Sequence, residues 1–402
     1  MSTAPLPTDQ KKARRKMRRL TCINAFRGLV MLLMLGEMLE LCEVAEALPA
    51  SDIWQWLCFH QSHVEWRGCS IHDLIQPGFS FLVGVALPFS IAARQQKGQG
   101  FTRMLLHAVW RSAVLILMGI WLRSLSKSQT NFTFDDTLTQ IGLGYSFLFL
   151  LGFATPRWQW AAMLLILSAY GIAFVMYPAP GPDFDWAAVG VPETWNHLDG
   201  MMAHWDKNSN LAWAVDKWWM NQFPRPEPFV YHPGGYATLS FIPTLSTMVM
   251  GLIAGGILRT RRRGFSNVLI FLAIGTLWAG TGRLLDVAGI CPIVKRIWTP
   301  SWALYSGGLV LWILAFFYAT TDLIRVRFWV LPLVVLGANS IVAYCSDWLI
   351  VDFIHRNFAI HLGDDYFERF GPYAPLASGA AVLLVIWLIL FWMYRRRIFV
   401  RI

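Results

Sequence analysis

The sequence predicts an all-α integral membrane protein: a bundle of about ten transmembrane helices beneath an extracytoplasmic cap of loops and short helices. Three observations carry that reading. Of 402 residues, 56% are hydrophobic and 14% charged, whereas a soluble domain carries about 25% charged residues. The apolar excess is gathered into recurring runs of roughly 18 to 25 residues, each long enough to cross about 30 Å of hydrocarbon. Finally, 21 Trp and 11 Tyr suit aromatic belts at both bilayer surfaces. So much apolar surface collapses, so disorder is excluded as well.

The spans fall at 25–47, 73–93, 104–124, 137–154, 159–177, 238–258, 265–287, 301–321, 329–351 and 376–395. The first run comes after a basic head, continues at full spanning length and lacks a clear small-residue cleavage site, so it reads as a retained first helix. An even number of spans puts both termini on one side. The net charge of +10 does not point to nucleic acid, because the basic residues flank spans. They sit in the head (Lys11 to Arg19), at Arg259 to Arg263 and at Arg395 to Arg397. The positive-inside rule assigns these segments, and so both termini, to the cytoplasm. The intervening inside loops hold Arg94, Lys97, Arg103, Arg157, Arg325 and Arg327. Outside loops are longer and more acidic, and the Lys295-Arg296 pair is the exception.

Residues 1–22 form a basic cytoplasmic segment and 23–402 a single transmembrane domain. Within it, 178–237 sets six Trp among polar residues, as expected of short helices resting on the outer surface or of a cap over a cavity. The six Cys contain no CxxC pair. Cys58 and Cys69 share an outside loop, where a disulfide or two thiols are both open.

The outside segment His60-Gln61-Ser62-His63-Val64-Glu65-Trp66-Arg67-Gly68-Cys69-Ser70-Ile71-His72-Asp73 brings three imidazoles and two carboxylates to the edge of an apolar helix. Imidazole, with a reference pKa of about 6.5, takes and returns protons near neutrality. Interfacial His residues also serve simply to anchor lipid headgroups. His60-x2-His63 with His72 is not a specific zinc pattern, so no metal site is assigned. Arg27, Glu37, Glu40, Arg111, Arg283 and Asp286 fall inside predicted spans, where an ionised group facing lipid costs several kcal/mol. Each therefore faces the bundle interior or a wet cavity, or snorkels, which is the fate expected of Arg111 near its span end. Glu37 either pairs with a buried base or lines a pathway. Gln140, Asn339 and Ser340 are polar interior groups of the kind that hydrogen-bond between helices, worth about 0.6 to 2 kcal/mol each.

The chain resembles the heparan-α-glucosaminide N-acetyltransferase family of transmembrane acyltransferases, including bacterial members associated with amino-sugar use. The likeness begins at Asn24-Ala25-Phe26-Arg27-Gly28-Leu29. Its most specific element is His63-Val64-Glu65-Trp66-Arg67-Gly68 followed by Asp73-Leu74-Ile75-Gln76-Pro77, similar to a His-x-x-Trp-x-Gly and Asp-Leu-Ile/Val-Phe-Pro pattern. It continues through Pro243 to Thr247, Pro292 to Thr299 and Leu336 to Ser340. Departures fall on polar positions: Asn24 replaces an Asp, Met38 an Asn, Gln76 a Phe, Thr139-Gln140 a Gln-Arg pair and Val294 an Asn.

The resemblance implies acyl transfer from cytosolic acetyl-CoA, or another short acyl-CoA, to an extracytoplasmic sugar amine or hydroxyl. His63 then serves as general base or transient acyl carrier, with Asp73 orienting an imidazole. Trp66 becomes a cavity wall, and Lys295 and Arg27 hold CoA phosphates or the thioester oxyanion. Asn24, Glu37, Gln140, Trp298 and Asn339 complete the expected substrate contacts. No permanently bound cofactor is implied. The partners are the bilayer, acyl-CoA, a saccharide acceptor and, in a homodimer, a second copy; the expected location is a bacterial inner membrane. Two rival readings are a sugar or small-molecule transporter or flippase, suggested by Glu37 and Glu40, and an inactive homologue, suggested by the substitutions. The chain shows no inverted repeat of the kind transporters carry.

Overall fold

The structure, a computed structural model, describes residues 20–260, 264–363 and 365–400. The basic head and the run 261–263 lie outside the described residues. Among the described residues, eight helical stretches are long and apolar enough to cross a membrane, or nine when one bent pair is counted as a single span. A shorter apolar helix, Thr137–Leu151, accounts for the tenth predicted position.

Helix α1 (Thr21–Leu35) runs into a 3-10 turn, Gly36–Leu39, and the chain then reverses at Glu40 in the left-handed region with φ 48°. The expected span 25–47 therefore stops at Leu39. Past the reversal the chain forms α2 (Leu41–Ala47) and α3 (Asp52–Gln61), packed on each other. The physical reason is charge: Glu40, Glu43 and Glu46 recur too densely for a segment in hydrocarbon. A disulfide between Cys42 and Cys58 ties α2 to α3. This corrects the Cys58–Cys69 pairing left open by sequence, because Cys69 carries a free thiol.

Helices α4 (Ile75–Gln96), α5 (Phe101–Ser124), α6 (Thr137–Leu151) and α7 (Pro156–Met176) come next in alternation. Asp136 caps α6 by accepting from the Leu138 and Thr139 amides at 2.8 and 3.2 Å. The segment 178–237 forms short 3-10 turns and one helix, α8 (Leu211–Trp219), started by Asn210 accepting from the Trp213 amide. These pieces fold over the loops that precede α4 and α11, burying Trp195 and Trp205 with Trp66, Val294 and Ile297.

The most enclosed helix is α9 (Phe241–Thr260), which crosses α4 at small residues. A Cβ on Gly84 would lie 1.9 Å from the Met248 carbonyl oxygen, and one on Gly251 1.9 Å from that of Phe81. Only glycine permits this approach. Helices α10 (Phe265–Val287) and α11 (Pro300–Phe317) pack as a pair. The predicted span 329–351 is broken: α12 (Leu331–Ala338) and α13 (Ser340–Leu349) meet at 67°. At the break, Asn339 gives up its helical conformation and its carboxamide binds the backbone of Ile398 and Val400. Helix α14 (Val351–Leu362) then leads to the last long helix, α15 (Ala374–Arg395).

Candidate functional site

Two loops far apart in sequence build the site. The segment 62–71 between α3 and α4 is clamped to the 291–299 turn before α11. Gly68 donates its amide to the Ile293 carbonyl at 2.9 Å, and Arg67 and Val294 form an antiparallel bridge. Gly68 sits at φ 135°, where a side chain would be strained. Arg67 Nε donates to Asp286 Oδ1 at 2.8 Å, and Arg283 Nη1 to Asp286 Oδ2 at 2.6 Å. This explains the charged residues at the end of α10. Trp66 is buried under the cap, with its Nε1–H on the Trp205 carbonyl at 3.2 Å.

Asp73, buried to 1% exposure, is the hub. Its Oδ2 accepts from the Val64 amide (3.2 Å), the Ser70 amide (3.0 Å) and the Ser70 hydroxyl (3.1 Å). Its Oδ1 faces His63 Nδ1 at 2.8 Å and Lys295 Nζ at 3.2 Å. The Lys295 ammonium also lies 3.0 Å from His63 Nδ1 and 3.4 Å from Nε2. An ammonium only donates, so the carboxylate takes both the imidazole Nδ1–H and one Lys295 proton. That fixes the tautomer and leaves the lone pair on Nε2, where the nearest donor is the Lys295 ammonium at 3.4 Å. Burial lowers the His63 pKa from its ordinary 6.5, more than the Asp73 hydrogen bond raises it, and the Lys295 charge lowers it further. Burial likewise lowers the Lys295 pKa. The ring is thus a neutral base near pH 7, with its side chain 35% exposed.

A second His–carboxylate pair stands beside the first. His72 Nε2 lies 2.7 Å from Glu37 Oε1, and the His63 and His72 rings meet edge-on at 4.5 Å between centroids.

From the opposite end of the bundle a cavity of about 740 Å³ enters between α1, α4, α5, α6 and α13. Along α4 its wall runs from Phe79 to Arg94, about 22 Å of helical rise. The Phe79 end lies about 9 Å of rise from Asp73. Arg27, Arg94, Arg111 and His107 line it together with Asn24, Tyr145 and Tyr344. Among the described residues no carboxylate lines it, so it is a cationic pocket. Arg111 donates to the Tyr145 hydroxyl at 3.2 Å and stacks 4.7 Å above that ring. This corrects the expectation that Arg111 snorkels: near the middle of α5, its guanidinium is too deep to reach an interface. Beyond the cavity, Asp347, one turn along α13 from Tyr344, is within electrostatic reach of Glu37.

This chain is distantly related to membrane acetyltransferases. It is 23% identical to the heparan-alpha-glucosaminide N-acetyltransferase of Mus musculus over 385 residues and to that of Homo sapiens over 386. Both alignments take in 85% of this chain and 55% of the relative, so the chain spans about half the length of the curated relatives it matches. No family model matches it.

The site residues expected from sequence divide into three groups. His63, Asp73, Lys295 and Glu37 gather in one cluster, and Asn24 and Arg27 line the cationic cavity. Trp66, Gln140, Trp298 and Asn339 do other work. Gln140 is fully buried and donates to the Phe134 and Thr238 carbonyls at 2.6 and 3.2 Å, tying the start of α6 to that of α9. Trp298 is buried with its Nε1–H on Thr247 Oγ1 at 3.1 Å, and its amide closes the turn that presents Lys295. Asn339 donates to the Ile398 carbonyl at 2.9 Å and accepts from the Val400 amide at 3.1 Å. It thereby holds Phe399 and Val400 against the cavity. His60, the third imidazole of the loop, accepts from the Ile71 amide at 3.3 Å and meets the Trp56 ring edge-on at 4.5 Å between centroids. Sequence reasoning misses the roles of His72, Arg94, His107 and Tyr145; for Arg94 and His107 the only available signal is cationic residues facing each other across one helical turn-around.

Proposed function

We propose that the protein moves an acetyl or other short acyl group from acyl-CoA, drawn into the cationic cavity, to a sugar amine or hydroxyl presented at His63. The observation that carries the reading is the His63–Asp73–Lys295 constellation near one end of a cavity lined farther along by Arg27, Arg94 and Arg111. Guanidinium groups suit the phosphates of CoA, and a cavity of this size suits a ligand of that class. The distant relationship to acetyltransferases supports the reaction type.

In this reading the acceptor nitrogen or oxygen attacks the thioester carbonyl carbon and transfers its proton to His63 Nε2. As the tetrahedral intermediate collapses, the C–S bond breaks, and the imidazolium returns the proton to the leaving thiolate as CoA thiol. Asp73 stabilises the imidazolium and holds its tautomer. The Lys295 ammonium offsets the charge that develops on the carbonyl oxygen. A transient acyl group on Nε2 uses the same geometry. The Arg94 end of the cavity is the cytoplasmic one, with both chain ends there, and the cap faces the periplasm of a bacterial inner membrane.

The test is thiol release from acetyl-CoA by the purified protein with glucosamine and related saccharides as acceptors. Wild type should release thiol and form acylated sugar, and His63→Ala should lose at least 100-fold in rate, the scale of general-base catalysis. Undiminished transfer by His63→Ala removes His63 from the mechanism. Saccharide uptake into vesicles without acyl transfer turns the assignment to transport.

A further inference from the structure

The Glu37–His72 pair has no part in that reaction, yet it lies against the base. One ligand atom each from Glu37, His63 and His72 falls within 4.8 Å of the other two. Two imidazole nitrogens and a carboxylate oxygen form a His2Glu set, which in zinc sites leaves a fourth position open. The second shell is in place: Asp73 Oδ1 engages His63 Nδ1 at 2.8 Å, the carboxylate–histidine support that orients a ligating ring and presents Nε2. His72 already presents its Nε2 to Glu37 at 2.7 Å.

Charge favours a dication as well. Glu37 and Asp73 supply two negative charges and Lys295 one positive, so the cluster carries one net negative charge before a cation enters. Zinc–ligand bonds of about 2.0 to 2.1 Å place tetrahedral donors about 3.4 Å apart, so the widest separation, up to 4.8 Å, closes by up to about 1.4 Å, while the 2.7 Å Glu37–His72 contact opens by about 0.7 Å. Glu37 has the freedom to move, since its side chain is 54% exposed and its backbone belongs to a single 3-10 turn. The opposing feature is the Lys295 ammonium, 3.4 Å from His63 Nε2. It stands over the ring, 3.0 Å from Nδ1 as well, so a cation on Nε2 displaces it toward Asp73 Oδ1, 3.2 Å away. Nitrogen-rich donors select borderline transition metals over calcium or magnesium.

We propose that Glu37, His63 and His72 form a reversible site for a borderline transition-metal dication of the Zn²⁺ and Co²⁺ class, and that its occupancy silences the enzyme by taking the lone pair of His63 Nε2. Binding stands on geometry alone; silencing rests on the function proposed above. Three helix-flanking segments supply the ligands, which is why no local spacing announces the site.

The experiment uses the full chain in detergent, stripped with chelator and titrated with Co²⁺ and with Zn²⁺. Co²⁺ should give the visible bands of a low-coordinate nitrogen and oxygen site, and Zn²⁺ should bind with one equivalent per chain by calorimetry. His72→Ala and Glu37→Gln should each weaken binding at least 10-fold, while His197→Ala, in the separate His197–Asp206 pair of the cap, should leave it unchanged. Glu37→Gln keeps a hydrogen-bond partner for His72, so its loss of affinity is not a folding defect. Zn²⁺ should stop thiol release and chelator should restore it. No saturable binding, or equal affinity in wild type, His72→Ala and Glu37→Gln, overturns the site. Stoichiometric binding with unaltered acyl transfer overturns the silencing. If no acyl transfer occurs under any condition, the functional reading fails, and the Co²⁺ spectrum still decides the site.

Discussion

Replacing Asp73 by Asn changes one atom's chemistry and should abolish most of the activity. The oxygen that must remain an oxygen is Oδ2, because it accepts three donors: the Val64 amide, the Ser70 amide and the Ser70 hydroxyl. Flipping the carboxamide would aim its NH2 at those donors and break all three bonds, at about 1 kcal/mol or more each. The NH2 group therefore takes the Oδ1 position, 2.8 Å from His63 Nδ1 and 3.2 Å from the Lys295 ammonium. A donor facing Nδ1 pulls the ring proton over to Nε2, so the nitrogen that should accept the acceptor's proton is already protonated. The imidazolium formed during reaction also loses its counter-charge. In a serine protease the analogous change costs about 10⁴-fold in kcat, or about 5.5 kcal/mol of transition-state stabilisation. A fall of about 10³ to 10⁴-fold is expected here, with the KM for acetyl-CoA little changed, because the cavity is untouched. Thiol release under saturating substrate measures it, on protein shown by size-exclusion profile and thermal midpoint to be folded. A loss below 10-fold in folded Asp73→Asn protein would refute the tautomer argument.

The same geometry fixes four further outcomes. Because burial and Lys295 hold the His63 pKa below 6.5, kcat/KM should rise with pH through an acid limb below 6.5 and then level. Lys295→Met should move that limb to higher pH, and a limb that stays in place would detach Lys295 from His63. Arg27→Gln and Arg111→Gln should each raise the KM for acyl-CoA about 10-fold, the worth of one charge-assisted hydrogen bond, with kcat retained; an unchanged KM in both would empty the cavity of its assigned donor. Cys42 and Cys58 should resist alkylation in denaturant until reduced, and Cys42→Ser with Cys58→Ser should lower stability by about 3 kcal/mol for a 16-residue separation. Labelling of both before reduction would contradict the pairing. Asp216 offers a stability test, because burial raises its pKa from 3.8 to about 6 against the pull of its Thr238 hydrogen bonds. Between those values the folded chain keeps a proton that the unfolded chain has released, so stability falls as pH rises, by up to about 3 kcal/mol above pH 6. Asp216→Asn should flatten the thermal midpoint between about pH 4 and pH 7, and an identical slope in wild type and variant would sink the argument.

The bundle is legible in the sequence because hydrophobic runs of spanning length are a property of local composition, and lipid enforces it. Three breaks are not. The first span ends at Leu39 because a left-handed Glu40 starts a surface pair of helices, whose acids taken one by one look like intramembrane charges. The span around Asn339 bends because that side chain answers to Ile398 and Val400, about 60 residues away, which periodicity cannot register. Helix α6, at 15 residues, is simply short. In the site, His63 and Asp73 stand out because they share one loop and one motif. Lys295 is marked by its exceptional position among outside loops. His72 as the partner of Glu37, and Arg94 and His107 in the cavity, escape because each depends on which faces of separate helices meet. A snorkelling Arg111 is reasonable for a lone helix and fails once Tyr145 on α6 offers a ring and a hydroxyl.

The two loops explain why a base can sit on irregular backbone and still be held. His63 and Lys295 are 232 residues apart, and long flexible segments would blur their distance by more than a proton transfer tolerates. Here Gly68, with no Cβ to strain at φ 135°, brings its amide to Ile293, and the Arg67–Val294 bridge fixes the register. Asp286 then pins Arg67 from α10, and it also accepts from the Ile293 amide at 3.0 Å. One carboxylate thus fastens both loops to the same helix. Asp73 repeats the device at the reacting end, joining Val64 and Ser70 of one loop to Lys295 of the other. The geometry of the proposed base is therefore set by two buried aspartates, Asp286 through the loops and Asp73 at the ring. Removing Asp286 should loosen the spacing of His63 and Lys295 without touching either, so Asp286→Asn should depress kcat while leaving the direction of the pH dependence intact.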